Sequence, residues 1–253
     1  MMKDAWVWPY PRFVAHRGGG WMAPENTLAA MRVGYAHGYR MVEIDVRLSG
    51  DGTLVLMHDD TVDRTTNGIG RVGGMTWGEL ARLDAGHAMR DNYPVYVAEP
   101  IPSFESIARW CIANGVALNI EIKPCPGREQ ETGCAVGLDA LRLWRGVDPP
   151  PLISSFEESA LVAVRTVAPE FPRALLQDAL TADWPERLER LDCIAIDANF
   201  RELSAEIVAD AHRRGYRVAT YTPNEKPVVA ALLEWGVDCI ITDAIDIVDP
   251  GAP

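Results

Sequence analysis

Residues 38–58 read GYRMVEIDVRLSGDGTLVLMH, and this stretch decides the fold. Gly38 ends a helical segment, and the apolar strand Met41–Val46 follows it directly. The same order, a helix that ends at glycine and then a strand, recurs at Gly115, Gly215 and Gly236. Glycine is favoured just past a helix end because the chain there adopts the left-handed conformation. Strands and helices that alternate in this way predict a parallel sheet.

Eight such strands are predicted along the chain, with helices between them. They are Phe13–His16, Met41–Val46, Ala117–Ile122, Leu152–Ser155, Ala174–Leu176, Cys193–Asp197, Arg217–Tyr221 and Cys239–Thr242. The residues expected to open helices are Thr27, Ser103, Ser155, Asp183, Ser204 and Asn224. Eight βα units in 253 residues are typical of a (β/α)₈ barrel, so the predicted fold class is α/β, a TIM barrel.

One gap between strand starts is anomalous, the 76 residues from position 41 to position 117. It begins with Ser49–Gly52, a link that is too short for a parallel crossover and therefore predicts an antiparallel hairpin. If Leu48 pairs with Thr53, the register brings Glu43 close to His58. We expect one catalytic domain over residues 1–253, with residues 49–101 forming a small inserted subdomain after the second barrel strand.

Composition limits the partners of this chain. Its 24 basic and 36 acidic side chains leave a formal net charge of −12. That charge disfavours nucleic acid and stable association with an anionic membrane. Residues 1–11 contain no apolar core of a secretory signal, no apolar run is long enough to cross a bilayer, and the five cysteines form no CxxC pair. A cytoplasmic protein is predicted, and its oligomeric state is left open.

Polar residues mark the carboxyl ends of the first three barrel strands, where the active sites of TIM barrels lie. Strand two carries Glu43 and Asp45, and strand three carries Asn119, Glu121 and Lys123. A spacing of two places the side chains of each set on one face of its strand. Carboxylates are rarely buried unless they are paired or bind a metal. Three carboxylates that converge in a barrel mouth therefore predict a site for one divalent cation, Mg²⁺ or Ca²⁺.

Two histidines and two cationic side chains complete the candidate site. His16 and Arg17 lie at the end of the first strand, the hairpin brings His58 to the rim, and Lys123 lies at the end of strand three. Such a set suits phosphoryl chemistry, in which histidines move protons and cations neutralise the phosphate. Each residue also has a structural interpretation: a histidine at a strand end is often structural, and the charged residues of Glu-x-Asp and Glu-x-Lys can be partners in salt bridges. Asn26-Thr27 is interpreted as the cap of the first helix, and a phosphate bound at that helix start is the alternative.

The motifs resemble those of the glycerophosphodiester phosphodiesterases. The matching segments are AHRGGGWMAPENT, EIDVRLSGDGTLVLMHDDTVDRTTNG, LDAG, IPSFESI, NIEIKP, TYTPNE and GVDCIITDAIDIV. They run from about residue 13 to the last strand, so the resemblance covers nearly the whole chain. It implies a barrel of the phospholipase-C-like phosphodiesterase type with an insertion after strand two.

The resemblance also implies roles for individual residues. It makes His16 and His58 the general acid/base pair, Glu43, Asp45 and Glu121 the metal ligands, and Arg17 and Lys123 the phosphate partners. Tyr221 stands where many members have tryptophan, near the glycerol or the leaving group. This departure bears on the preference for the alcohol.

The implied reaction is hydrolysis of a glycerophosphodiester to glycerol 3-phosphate and an alcohol, with a small molecule as the partner. Direct attack by water and prior attack by the glycerol 2-hydroxyl, giving a cyclic phosphate, both fit this set of residues. One alternative is a related phosphodiesterase for lysophospholipids or inositol-type headgroups. A second alternative is a barrel that binds phosphate or metal without turnover, which predicts an incomplete catalytic set.

Overall fold

Eight parallel strands form a closed barrel with helices outside it. The structure, a computed structural model, describes residues 8–251. The strands in this range are β1 (Phe13–Ala15), β2 (Met41–Leu48), β3 (Leu54–Leu56), β4 (Ala117–Ile122), β5 (Leu152–Ser155), β6 (Arg173–Gln177), β7 (Ala195–Asn199), β8 (Arg217–Tyr221) and β9 (Cys239–Thr242). All except β3 belong to the barrel, which confirms the predicted (β/α)₈ fold class.

The helices lie between successive barrel strands or in the insertion. Those in the described residues are α1 (Leu28–Ala36), α2 (Trp77–Leu80), α3 (Phe104–Ala113), α4 (Glu129–Leu143), α5 (Glu158–Val167), α6 (Trp184–Leu191), α7 (Ala205–Arg213) and α8 (Lys226–Glu234). The barrel strands pair in the order β1-β9-β8-β7-β6-β5-β4-β2, and Ala15 beside Val42 closes the ring.

Side-chain alternation divides the barrel interior into two levels. Apolar side chains such as Val14, Met41 and Leu152 form a buried cluster, with Tyr10 among them. Two and four residues beyond Met41, the inward side chains of β2 are those of Glu43 and Asp45. The inward side chains of β2 are therefore apolar at the start of the strand and ionisable toward its carboxyl end. The outward faces of the strands pack on the helices in a separate, larger apolar cluster.

The insertion begins with the predicted hairpin, but the predicted register is wrong by one residue. Leu48 pairs with Leu54, not with Thr53, and Val46 pairs with Leu56. The Thr53 carbonyl instead accepts a hydrogen bond from the Ser49 amide, inside the turn. Val55, Leu80 and other apolar residues of the insertion form a small buried cluster of their own. That residues 49–101 form a subdomain within a single domain stays a prediction.

Two predicted helix openings are wrong, and a third is confirmed only for Thr27. Ser155 is the last residue of β5, and Glu157 occupies the N-cap position of α5. Glu225, and not Asn224, is the residue that directly precedes α8. Thr27 does cap α1 by accepting a hydrogen bond from the Ala30 amide, but Asn26 takes no part in this cap. The polar groups of Asn224 and Asn26 are bonded to residues at the mouth of the barrel instead.

Two expectations from the sequence concern membrane spans and secretion rather than the fold. Between residues 8 and 251 there is no helix with the length and apolar character needed to cross a bilayer. The expectation that no secretory segment is present rests partly on residues 1–7, which lie outside the described residues.

Candidate active site

A cavity of about 200 Å³ opens at the carboxyl end of the barrel strands. Seven of the eight predicted site residues line it: His16, Arg17, Glu43, His58, Glu121, Lys123 and Tyr221. The eighth residue, Asp45, lies directly behind the residues that line the cavity, since Arg17 and Lys123 both contact its carboxylate. The structure thus brings all the predicted residues together, and the one-residue error in the hairpin register does not move His58 away from the cavity.

Glu43, Asp45 and Glu121 form a compact buried group. One carboxylate oxygen from each lies within 4.8 Å of the others, and the three residues are between 0% and 7% exposed. Within the described residues, Glu43 Oε1 and Asp45 Oδ1 are buried without a hydrogen-bond partner. Buried carboxylates without partners are costly, and hard oxygen ligands suit Mg²⁺ and Ca²⁺. The residues therefore fit one divalent cation, and this cluster could hold it.

The pKa values of the three carboxyl groups are shifted by burial and by their mutual repulsion. Burial, followed by the charges of Asp45 and Glu121, raises the pKa of Glu43 well above its usual range. Burial and then Asp45 raise the pKa of Glu121 to about 7. Burial also opposes ionisation of Asp45, but Arg17 and other cationic groups outweigh it and hold the pKa of Asp45 below its usual value. A bound dication favours the ionised form of all three groups.

Arg17 links the carboxylates to the outer network. Its backbone lies in the left-handed region with φ of 50°, which is uncommon for a residue with a side chain. In this conformation the Arg17 amide donates to Glu43 Oε2 at 3.0 Å. Its Nε lies 3.4 Å from Asp45 Oδ2, and its Nη1 donates to Glu25 Oε1 at 2.8 Å. The strained turn thus directs both the amide and the guanidinium of Arg17 to carboxylates.

His16 is held by an aspartate that follows the last barrel strand. Its Nδ1 lies 2.6 Å from Asp243 Oδ1, and its Nε2 lies 3.8 Å from Glu43 Oε2. Asn224 orients this aspartate: its Nδ2 donates to Asp243 Oδ2, and its Oδ1 accepts from the Asp243 amide. Burial opposes ionisation of Asp243, but the bond to His16 and other interactions hold its pKa below the usual value.

His58 is held in a similar way by its neighbour. Its Nδ1 lies 2.7 Å from Asp59 Oδ1. Arg64 donates from Nε to Asp59 Oδ2 at 2.6 Å and from Nη1 to Glu25 Oε2 at 2.7 Å. Glu25 also accepts from Arg17, so Arg64 connects the insertion with the first barrel loop. Burial, assisted by nearby cations, lowers the pKa of His58.

Lys123 faces the carboxylates from the end of β4. Its Nζ lies 2.6 Å from Glu121 Oε1 and 3.8 Å from Asp45 Oδ1. Burial opposes protonation of Lys123, but the two carboxylates outweigh it and raise its pKa. The same Nζ lies 5.1 Å from the ring centre of Phe156, whose ring meets Tyr221 edge-on at 6.0 Å.

Sequence reasoning missed several residues that support this site. Asn26 donates to Asp45 Oδ2 at 2.7 Å and accepts from the Asp45 amide at 3.0 Å, so it orients a candidate ligand rather than capping α1. Asp243 and Asp197 were not singled out. Both follow the strand-end pattern that pointed to Glu43 and Glu121, so the same criterion applied to β7 and β9 would have found them.

Comparison with known proteins agrees with this geometry. The model of the glycerophosphoryl diester phosphodiesterase family matches residues 16–247. The chain belongs to this family. Family membership makes the chain a phosphoric diester hydrolase, with glycerophosphodiester phosphodiesterase activity. A glycerophosphodiester phosphodiesterase of Caldanaerobacter subterraneus is 32% identical over 235 residues, which are 91% of this chain and 93% of the relative. A glycerophosphodiester phosphodiesterase of Bacillus subtilis is 28% identical over 246 residues, which are 92% of this chain and 84% of the relative.

A solved structure supports the same family assignment. An Oleispira antarctica phosphodiesterase, in complex with the product sn-glycerol-3-phosphate, superimposes with a TM-score of 0.85 at 36% identity. The match covers 93% of this chain and 94% of that one. This chain and the Oleispira phosphodiesterase therefore share their fold over nearly their whole length.

The carboxylate cluster leads to a prediction about stability. The substitution Glu43→Gln is expected to raise the melting temperature of the metal-free protein by roughly 2–6 °C, because it removes a buried carboxylate that repels two others. Differential scanning fluorimetry in EDTA measures this change. Added Mg²⁺ or Ca²⁺ should stabilise the parent protein more than the variant. A variant that melts below the parent in EDTA, or that gains as much from the cation, would contradict a cation site at Glu43.

Proposed function

We propose that the chain hydrolyses glycerophosphodiesters, such as glycerophosphocholine or glycerophosphoethanolamine, to glycerol 3-phosphate and an alcohol, with one divalent cation. The observation that carries this proposal is the convergence of two histidines, three buried carboxylates, one arginine and one lysine on a single cavity. The glycerol-3-phosphate complex of the Oleispira phosphodiesterase supports the choice of a small phosphodiester as substrate.

Glu43, Asp45 and Glu121 would hold the cation, Mg²⁺ or Ca²⁺. When bound, a divalent cation supplies charge neutralisation at phosphate oxygens and lowers the pKa of a nucleophile. Asn26 keeps Asp45 oriented through two hydrogen bonds, and the Arg17 amide does the same for one oxygen of Glu43. These contacts leave the other oxygens of both carboxylates available within the site.

His16 and His58 would carry the protons. Each ring is anchored at Nδ1 by an aspartate, which leaves Nε2 available for proton transfer. One histidine accepts the proton of the nucleophile, and the other donates a proton to the departing alkoxide. The anchoring carboxylates fix the ring orientation and stabilise the imidazolium that forms.

Arg17 and Lys123 would stabilise the phosphate, and Tyr221 would contact the substrate. Both cations line the cavity and carry raised pKa values, so they stay charged at neutral pH. Hydrogen bonds from cationic donors to phosphoryl oxygens are among the stronger ones in proteins. These two side chains and the bound cation together offset the three carboxylates, so a chain with a net charge of −12 can still accept an anionic substrate.

A substrate panel tests the proposal directly. Glycerophosphocholine, glycerophosphoethanolamine, glycerophosphoinositol and lysophosphatidylcholine are each incubated with the protein, with and without each divalent ion, and released glycerol 3-phosphate and alcohol are measured. The expected result is turnover of the glycerophosphodiesters only when a divalent ion is present. Turnover of lysophosphatidylcholine alone would favour the lipid alternative, and binding without turnover would favour the non-catalytic one.

Arg64 provides a test of how His58 is positioned. The substitution Arg64→Met removes the bonds that hold Asp59, so we expect kcat for glycerophosphocholine to fall by roughly 10-fold. In a His58→Ala background the same substitution should cost little, because the ring that Asp59 orients is gone. A double-mutant cycle based on kcat measures this coupling. The matched control is Arg71→Met, an exposed arginine of the same insertion that lies 3.7 Å from Asp60. Equal losses in both backgrounds would refute the positioning role of Arg64.

A further inference from the structure

A buried arginine behind the cavity has no role in the proposed mechanism. Arg47 lies two residues beyond Asp45 on β2, and its side chain is 9% exposed. It does not line the cavity, so it would not touch the substrate. Asp60 Oδ1 lies 3.7 Å from its Nη1, beyond hydrogen-bonding distance. Burial of a guanidinium without a closely paired carboxylate is costly, and hydrogen bonds to uncharged groups have to offset this cost.

Arg47 donates to two carbonyl oxygens that belong to different segments of the site. Its Nε and Nη2 both donate to the His58 carbonyl, at 3.1 Å and 2.7 Å. Its Nη1 donates to the Pro124 carbonyl at 3.3 Å. Among the described residues, no backbone amide donates to either carbonyl. One planar guanidinium therefore joins the segment that carries His58 to the segment that carries Lys123.

Both segments lie just beyond the end of a strand. β3 ends two residues before His58, and β4 ends at the residue before Lys123. Beyond these ends, carbonyls of β2 accept one more amide from each segment, from Met57 and from Lys123, both at 3.0 Å. Arg47 then holds the carbonyl that lies one residue further along each segment. Its side chain therefore extends the attachment to β2 at the two points where the strand pairing has stopped.

We propose that Arg47 is a positioning residue that holds His58 and Lys123 in their places relative to each other. The inference rests on the proposed function, in which His58 transfers a proton and Lys123 stabilises the phosphate. Without Arg47, the backbone at these positions would keep only the amide bonds to β2. A displacement of about 1 Å at a reacting group can cost up to roughly 10²-fold in rate, so the loss of this attachment should be measurable.

The two contacts of Arg47 predict two separable effects. Displacement of His58 should lower kcat, because proton transfer belongs to the chemical step. Displacement of Lys123 should raise KM, because phosphate binding is assigned to this lysine in the bound substrate as well as in the transition state. A general loosening of the fold would not produce two effects that depend on two different side chains.

The test is a pair of double-mutant cycles with glycerophosphocholine as substrate and choline release as the measurement. Arg47→Met keeps much of the side-chain length and removes every donor, so we expect kcat to fall by roughly 10-fold and KM to rise by roughly 5-fold. In a His58→Ala background the loss in kcat should shrink to within about 2-fold while the rise in KM stays. In a Lys123→Ala background the rise in KM should disappear while the loss in kcat stays.

Arg47→Lys is the conservative variant. It keeps the charge but lacks the planar fork that reaches both carbonyls, so it should show the same pattern at a smaller size. It carries the test if the methionine variant does not fold.

Arg173→Met is the matched control. Arg173 is 2% exposed and also donates to two carbonyls, those of Phe171 at 2.7 Å and Asp192 at 2.9 Å, but it is the first residue of β6 and lies outside the cavity. Its variant should melt at a lower temperature and keep the wild-type kcat and KM.

Two results would overturn the positioning role of Arg47 while leaving the proposed function intact. One is an unchanged kcat and KM in the folded Arg47 variants. The other is a loss that persists in full in both the His58→Ala and the Lys123→Ala backgrounds. Failure of the wild-type protein to hydrolyse any glycerophosphodiester would instead overturn the proposed function.

Discussion

Replacing His16 or His58 with alanine is expected to lower kcat for glycerophosphocholine by roughly 10²-fold or more, the usual contribution of a general acid or base. The physical reason is that each ring presents Nε2 while an aspartate holds Nδ1. Without the ring, a proton has to be exchanged with water, whose pKa is poorly matched to the task. KM should change much less, because phosphate binding is assigned to Arg17, Lys123 and the cation.

His212→Ala provides a matched control for the histidine variants. His212 also contacts an aspartate, with Nε2 2.8 Å from Asp238 Oδ2, but it lies on α7 and outside the cavity. Its replacement should leave kcat unchanged. The assay measures choline release under saturating substrate and divalent ion. If His16→Ala and His58→Ala both retained near-full metal-dependent activity, the acid/base assignment would be wrong.

Removing the divalent cation is expected to have the largest effect, a loss of roughly 10³-fold or more in kcat/KM, because a bound cation contributes several kcal/mol to charge stabilisation in phosphoryl chemistry. Treatment with EDTA followed by desalting should abolish choline release, and Mg²⁺ or Ca²⁺ should restore it.

The variant Glu43→Gln separates this cation site from adventitious metal binding. It should have low activity that no concentration of Mg²⁺ or Ca²⁺ restores to the parent level. Glu170→Gln, which alters an exposed carboxylate outside the cavity, should respond to EDTA and ions like the parent. Full activity of the parent protein after exhaustive chelation would show that the carboxylates serve another purpose. Equal recovery of Glu43→Gln and parent would show that the cation lies elsewhere.

Local sequence patterns were sufficient to predict the strands of the barrel. The glycine that ends four of the helices and the apolar strands themselves are properties of neighbouring residues, so all eight barrel strands lie within two residues of their predicted bounds. The hairpin was predicted because a short link allows only antiparallel pairing. Its register was missed by one residue, because the hydrogen bonds of the Ser49–Thr53 turn decide whether Thr53 belongs to the strand.

The helix caps show where a prediction from neighbouring residues in the sequence fails. Asn26 and Asn224 both precede a helix and are residue types that favour N-caps. In the structure, Asn26 bonds to Asp45 and Asn224 to Asp243, both contributed by distant parts of the chain. A buried charged group gains more from an amide donor than a helix end gains from one cap. The competing partner cannot be seen in the sequence around either asparagine.

The sequence by itself determined the strand order, the insertion after the second barrel strand and the residue types at the strand ends, because periodicity and spacing are encoded locally. Only the tertiary structure decided which polar groups meet. Asp243 contacts His16 although 227 positions separate them, and Arg64 reaches Glu25 across 39. Closure of the barrel creates the first of these contacts, since it brings β1 beside β9, and the second joins the insertion to the loop after β1. Closure also places Asp197 and Tyr221 in one wall of the cavity, where the Asp197 carboxyl group and the Tyr221 hydroxyl group are buried without a hydrogen-bond partner among the described residues.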